Sequence, residues 1–180
     1  ALLLALDKKT GHLKWQGRRG LSRIAHATPS IITVNGKPQM ISAAGDVVQA
    51  HNPDTGDLLW TIYGQGEGLV PSPVFGNGLV FSTSGFEKPT IRAIRPDGIG
   101  DVTKSHIAWE QTAHVPAMSS FVFANKLLFT IQENGFAQCL DPNTGKPLWQ
   151  QRLEGNYSPS PIFADNKIYF LSEEGLTTIL

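Results

Sequence analysis

At 180 residues the chain is long enough for one ordinary domain with a sizeable core. Its 15 Lys and Arg balance 15 Asp and Glu, which removes any electrostatic ground for nucleic acid or an anionic membrane as partner. A single cysteine, Cys139, excludes an internal disulfide framework, and no apolar run nears the roughly 18–20 residues that span a bilayer.

The opening ALLLAL (1–6) lacks the basic leader and length of a signal segment and reads as a strand. It runs into ALDKKTGHLKW (5–15), a stretch nearly repeated as AHNPDTGDLLW (50–60) and CLDPNTGKPLW (139–149). Between these lie short segments rich in β-branched and aromatic residues and bounded by turn residues. The first full set is expected at 30–34, 38–43, 47–51 and 58–62. VNGKP (34–38) and FGNGL (75–79), like ENGF (133–136) and EEGL (173–176), are hairpin signals in which Asn-Gly or Gly supplies positive φ cheaply. LVFSTS (79–84), LLFTIQ (127–132) and KIYFLS (167–172) are further strands, and no apolar stripe of period 3.6 is long enough for a helix. The last segment, GLTTIL, is again strand-like. Both ends therefore look like cuts within a longer protein, with any leader outside this segment.

Two markers alternate along the chain. The tryptophans Trp15, Trp60, Trp109 and Trp149 stand 45, 49 and 40 residues apart, and TPSII, PSPVF, SSFVF and SPSPIF each precede a strand. A period of about 40–50 residues built from four strands is the signature of propeller blades. The expected class is thus all-β: a partial β-propeller of four-stranded antiparallel blades. The pieces are 1–27, 28–69, 70–117, 118–157 and 158–180, which is two strands of one blade, three full blades and three strands of another.

Within each repeat the Asp-x-x-Thr-Gly turn joins the third strand to the fourth. In the first copy Asp7 or Thr10 can bond nearby backbone N–H groups, and Gly11 takes a conformation costly for other residues. Trp15, four residues on, can cover the edge of the adjacent blade while its indole N–H finds an acceptor. The corresponding residues are Ala5 in the first copy, Ala50, Thr55, Gly56 and Trp60 in the second, and Asp141, Thr144, Gly145 and Trp149 beside Cys139 in the last. The third copy keeps Ala93, Asp97, Gly98 and Trp109 but inserts residues after the glycine, so 98–104 is expected as an exposed loop and a place to look for function.

Chemistry is harder to find. Asp7, Asp54, Asp57, Asp97, Asp141 and Asp165 sit in turns, where a carboxylate caps backbone, and Glu133, Glu173 and Glu174 are expected solvated in hairpin turns. His12, His26, His51, His106 and His114 lack close metal-ligand spacing. GQGEG (64–68) fails both Gly-rich nucleotide fingerprints, and the Asn52–Asp57 turn lacks the spacing of a calcium loop. Cys139, flanked by apolar residues, reads as a small buried side chain. No catalytic residue can be named. The segments 61–73, 111–120 and 152–161 each cross between blades on one face, and His114, Met118, Asn156 and Tyr157 are the candidate binding-face residues there.

The docking stretches resemble the repeat of pyrroloquinoline-quinone (PQQ)-like β-propellers, a group that includes quinoprotein alcohol dehydrogenases and the outer-membrane assembly lipoprotein BamB. ALDKKTGHLKW matches that repeat at every specified position, and the stretch 92–110 is similar to PQQ-like proteins other than the true dehydrogenases. The resemblance implies a ring of seven or eight blades, of which this is about half, and a location in the periplasm or elsewhere outside the cytoplasm. It also implies a choice. One reading is a non-catalytic scaffold that binds a protein partner or small ligand at the ring face and needs no cofactor. The alternative is half of a PQQ- and calcium-dependent alcohol or sugar dehydrogenase, with adjacent cysteines and axial carboxylates in the other half; a sensor propeller attached to another domain is a third. An unclosed arc would expose two sheet edges and apolar flanks.

Overall fold

The computed structural model describes residues 2–19, 25–44, 46–64, 66, 69–84 and 87–180. Every regular element among them is a strand. The first sheet pairs β1 (Leu2–Leu6) with β2 (Leu13–Arg18). The second holds β3 (Ser30–Val34), β4 (Lys37–Ala43), β5 (Val47–His51) and β6 (Leu58–Tyr63) as an antiparallel meander. The third is a meander of β7 (Val74–Gly76), β8 (Leu79–Ser84) and β9 (Thr90–Ile94), with β10 (Gly100–Asp101) leaving it before β11 (Ile107–Gln111) closes it. The fourth is β12 (Val122–Ala124), β13 (Leu127–Ile131), β14 (Phe136–Leu140) and β15 (Pro147–Arg152). The fifth is β16 (Ile162–Ala164), β17 (Lys167–Leu171) and β18 (Thr177–Ile179).

The turn chemistry explains this order. The hairpins between the first two strands of each four-stranded unit have two central residues at positive φ, the geometry whose twist matches paired strands. Asn35–Gly36 and Asn77–Gly78 meet it with φ of 50 and 76°, and 52 and 76°. Asn125–Lys126 and Asp165–Asn166 meet it without glycine. The hairpins between third and fourth strands carry a register shift at the residue after the small one, at Ala5/Leu6, Ala50/His51 and Cys139/Leu140. The small residue itself is the cross-strand partner of the tryptophan in all four units: Ala5 of Trp15, Ala50 of Trp60, Ala93 of Trp109 and Cys139 of Trp149. A larger side chain there would compete with the indole for the same face.

The core lies between sheets. Ile41, Val48 and Trp60 of the second sheet pack with Val80 and Ile94 of the third. Phe81, Ile91 and Ala93 of the third pack with Leu128 and Leu140 of the fourth. Ile131, Ala137 and Cys139 of the fourth pack with Ile168 and Phe170 of the fifth. Cys139 is buried, and burial raises its thiol pKa.

The inserted stretch corrects one expectation. Gly100 and Asp101 are exposed, but the segment does not stand free as a loop. It forms β10, which pairs parallel with β6 of the preceding sheet through Gly100–Trp60 and Asp101–Thr61. Val102 N–H donates to Thr61 O, Tyr63 N–H donates to Thr103 Oγ1, and Val102 is buried. The insertion therefore covers an outer strand edge, and Trp60 is fully buried where Trp15 and Trp109 are half-buried.

Candidate functional site

The docking turns fasten the sheets. Asp7 Oδ1 accepts from Lys9 and Thr10 N–H and from the Thr10 hydroxyl, and these bonds hold its carboxyl below the usual carboxylate range. Asn52 and Asp141 occupy the same place, each accepting the N–H two residues on, at 2.9 and 2.7 Å. Trp15 Nε1 donates to Pro53 O and Trp109 Nε1 to Pro142 O, both at 2.8 Å. Each ring lies over the glycine of the turn it meets: a Cβ added to Gly56 would come within 2.6 Å of Trp15, and one added to Gly145 within 2.5 Å of Trp109.

The third copy docks differently. Trp60 Nε1 donates both to Pro96 O at 3.1 Å and to Gln39 Oε1 at 3.0 Å, while Gln39 Nε2 donates to Pro96 O. Gly98 packs against Val102 and His106 rather than under the indole, and Asp97 is exposed, 3.7 Å from His106 Nε2. Gln39 thus does work that the divergent turn does not.

The second marker also joins neighbouring blades. Ser72 Oγ accepts from Thr28 N–H, Ser120 Oγ from Ser72 N–H and Ser160 Oγ from Ser120 N–H, at 3.0, 3.0 and 2.9 Å. One hydroxyl per unit bridges to the unit before it. The sequence showed the recurrence of this residue but not its partner.

On the crossover face, the four candidate residues do not form one group. Tyr157 is fully buried, its hydroxyl donating to Glu154 O, and belongs to the core; its bulk between the fourth and fifth sheets takes it off the binding face. Asn156 is exposed but held, its N–H and Nδ2 both donating to Glu174. His114 is half-buried at φ 51°, stacked on Phe136 with ring centroids 3.5 Å apart, and its Nδ1 lies 3.3 Å from Gln132 Oε1. Met118 is exposed. The crossover 64–73 is described only in part, since Gln65, Glu67 and Gly68 of the Gly-rich stretch lie outside the described residues.

The glutamates expected to be solvated hold these crossovers. Glu133 Oε1 accepts the N–H groups of Ala117 and Met118, both at 2.7 Å. Glu174, although exposed, accepts from Asn156, and its pKa is lowered by hydrogen bonds, chiefly from Ser172. Glu173 N–H donates to Asn156 O. Beneath them Gln138 is fully buried and satisfied: Nε2 donates to His114 O and Thr130 Oγ1, and Oε1 accepts from Gln111 and Gln150. The only trace of this in the sequence is that Glu133 and Glu174 each stand within two residues of a turn glycine, one repeat apart.

Chemically, this is a polar framework already used for structure. Among the described residues no three His, Cys, Asp or Glu side chains converge as a metal cage.

Fold and docking geometry define the class: a partial β-propeller of PQQ-like repeats. The model of the family described as outer membrane protein assembly factor BamB matches residues 1–84 and 101–180, and the chain belongs to that family. No curated protein matches the sequence. Among solved structures, BamB from Moraxella catarrhalis superposes with a TM-score of 0.68 at 16% identity, covering 94% of this chain and 50% of that one. The quinohemoprotein alcohol dehydrogenase from Comamonas testosteroni gives 0.69 at 13% identity, covering 100% and 38%. The computationally designed Ika4 protein gives 0.59 at 16% identity, covering 86% and 91%. The chain spans half the length of the BamB structure, and at these identities the likeness to solved structures is one of fold. Among the described residues no helix is long and apolar enough to cross a membrane.

Proposed function

We propose that the chain is part of a non-catalytic propeller that serves as a binding scaffold outside the cytoplasm, with a protein partner at the crossover face. One observation carries this reading: the turn carboxylates beside the crossovers hold crossover backbone, Glu133 accepting from Ala117 and Met118 N–H and Glu174 from Asn156 N–H, rather than standing paired as an acid and a base. The family description, an outer membrane protein assembly factor, supports a protein as the partner and a location outside the cytoplasm. Met118 and the half-buried His114–Phe136 stack are the apolar contacts that surface offers. Calorimetric titration of PQQ, with and without Ca²⁺, into the folded protein tests the reading. No binding heat is the expected result. Tight, Ca²⁺-dependent binding would overturn it in favour of a quinoprotein dehydrogenase.

A further inference from the structure

Three ring-and-turn junctions lie within the chain, and the middle one departs from the other two. Trp15 covers Gly56 and Trp109 covers Gly145, but Gly98 faces Val102 and His106 while Trp60 donates to Pro96 O. An amide bridge is missing there as well. Asn77 of the β7–β8 hairpin donates through Nδ2 to Asn143 in the docking turn of the fourth sheet, at 2.6 Å. Asn35 holds the same place in the β3–β4 hairpin, with φ of 50° against 52°, and its side chain has no partner among the described residues. Between the second and third sheets stands instead a cleft of about 520 Å³, lined in part by Asn35, Lys37, Asp54, Leu58, Asp97 and Ile99. Both of these sheets have all four of their meander strands, so the cleft belongs to an interior junction.

We propose that this cleft binds an extended segment of a partner protein that presents a Lys or Arg beside an apolar residue. Three features argue for this occupant. The wall at 97–101 is fixed: a Cβ on Gly98 would lie 2.6 Å from Val102, Asp101 Oδ1 accepts from Thr103 N–H and its hydroxyl at 3.0 and 2.6 Å, and β10 is paired with β6. That wall holds Ile99 outward at 90% exposure, and among the described residues no large apolar side chain is more exposed. The charge in the cleft is in carboxylate excess. Asp97 has His106 Nε2 at 3.7 Å and Asp54 has no ion partner among the described residues, against the one ammonium of Lys37. Arg95, two residues from Asp97, turns its guanidinium to Ser105 O at 2.8 Å. A cation seated between Asp54 and Asp97 is therefore complementary to the site. The Asn35 amide, with donor and acceptor both unused, can pair with the main chain of an extended segment. Hairpin turns and docking turns share one end of these antiparallel sheets and the crossovers the other, so this contact is separate from the one at the crossover face.

The test is a titration of the ¹⁵N-labelled full chain, followed by the amide resonances of Asn35, Gly98 and Ile99. The probes are acetyl-Leu-Arg-Leu-amide, its Leu-Glu-Leu counterpart and butylamine. The Arg peptide is expected to shift those amides saturably and to bind at least about threefold tighter than either of the others. Asp97→Asn and Ile99→Ser alter exposed side chains, so both variants should fold, and each should weaken the Arg peptide by about threefold or more. Absence of saturable shifts at the three amides would overturn the proposal, as would equal affinity for the Glu peptide or undiminished binding by Asp97→Asn. Butylamine bound as tightly as the Arg peptide would make this a small-amine site and overturn the assignment to a protein segment.

Discussion

Replacing Gly145 by alanine measures how tightly the blades are fastened. Gly145 has φ +70°, and the added Cβ would lie 2.5 Å from Trp109 Cε3 and 2.8 Å from Cδ2. The ring cannot simply slide away, because its Nε1 is bonded to Pro142 O at 2.8 Å and its other side packs on Phe81, 6.0 Å between centroids. The substitution should therefore cost about 1 kcal/mol of left-handed backbone strain and a further 1–3 kcal/mol, roughly, of overpacking. Gly36→Ala is the internal control: its φ is +76°, and its added Cβ meets nothing within 4 Å, so only the strain remains. Any gain from stiffening the unfolded chain is common to both and cancels in the comparison. With a urea slope of about 2 kcal/mol/M, the denaturation midpoint of Gly145→Ala should fall below that of Gly36→Ala by about 0.5–1.5 M. Equal midpoints would refute the docking argument. In a Trp109→Ala background the difference should vanish, because the atoms responsible are gone.

Three other perturbations address separate parts of the arc. His51 is buried with Nε2 unpartnered, and burial lowers its pKa against the opposing hydrogen bond that its Nδ1 donates to Gly56 O. Its contribution is intact above the unfolded value near 6.5 and is lost as pH falls below it toward the lowered folded value, so unfolding midpoints should decline as the pH drops below about 6.5. His51→Leu, which puts there the residue found at Leu140, should lessen that decline without loss at pH 7; an unchanged acid profile would sink this assignment. Glu133→Ala should cost about 1.5–3 kcal/mol and speed amide exchange at Ala117 and Met118 selectively; uniform exchange changes would count against a clamp. Ser120→Ala should cost about 1 kcal/mol and unprotect the Ser72 amide, while protection left in place would show that another group accepts that bond.

What the sequence by itself determined is what recurs in it. Period-2 strands, paired turn residues and the tryptophan spacing are local signals, and each is satisfied within one repeat, so all-β blades in meander order follow from residues close together in the chain. Tertiary structure alone decided what each repeat does to its neighbour. Tyr157 looks like any crossover residue until the fifth sheet closes over it, and Glu133 looks solvated until residues 117 and 118 fold back onto its carboxylate. The stretch 98–104 breaks the repeat pattern and so carried no local instruction; its pairing with β6 depends on a strand edge some 40 residues earlier. Gln39 replaces part of a docking turn 57 residues away. A side chain's role here depends on which unsatisfied group or uncovered ring the adjacent blade brings to it, and that is fixed by packing between units, on which the local pattern is silent.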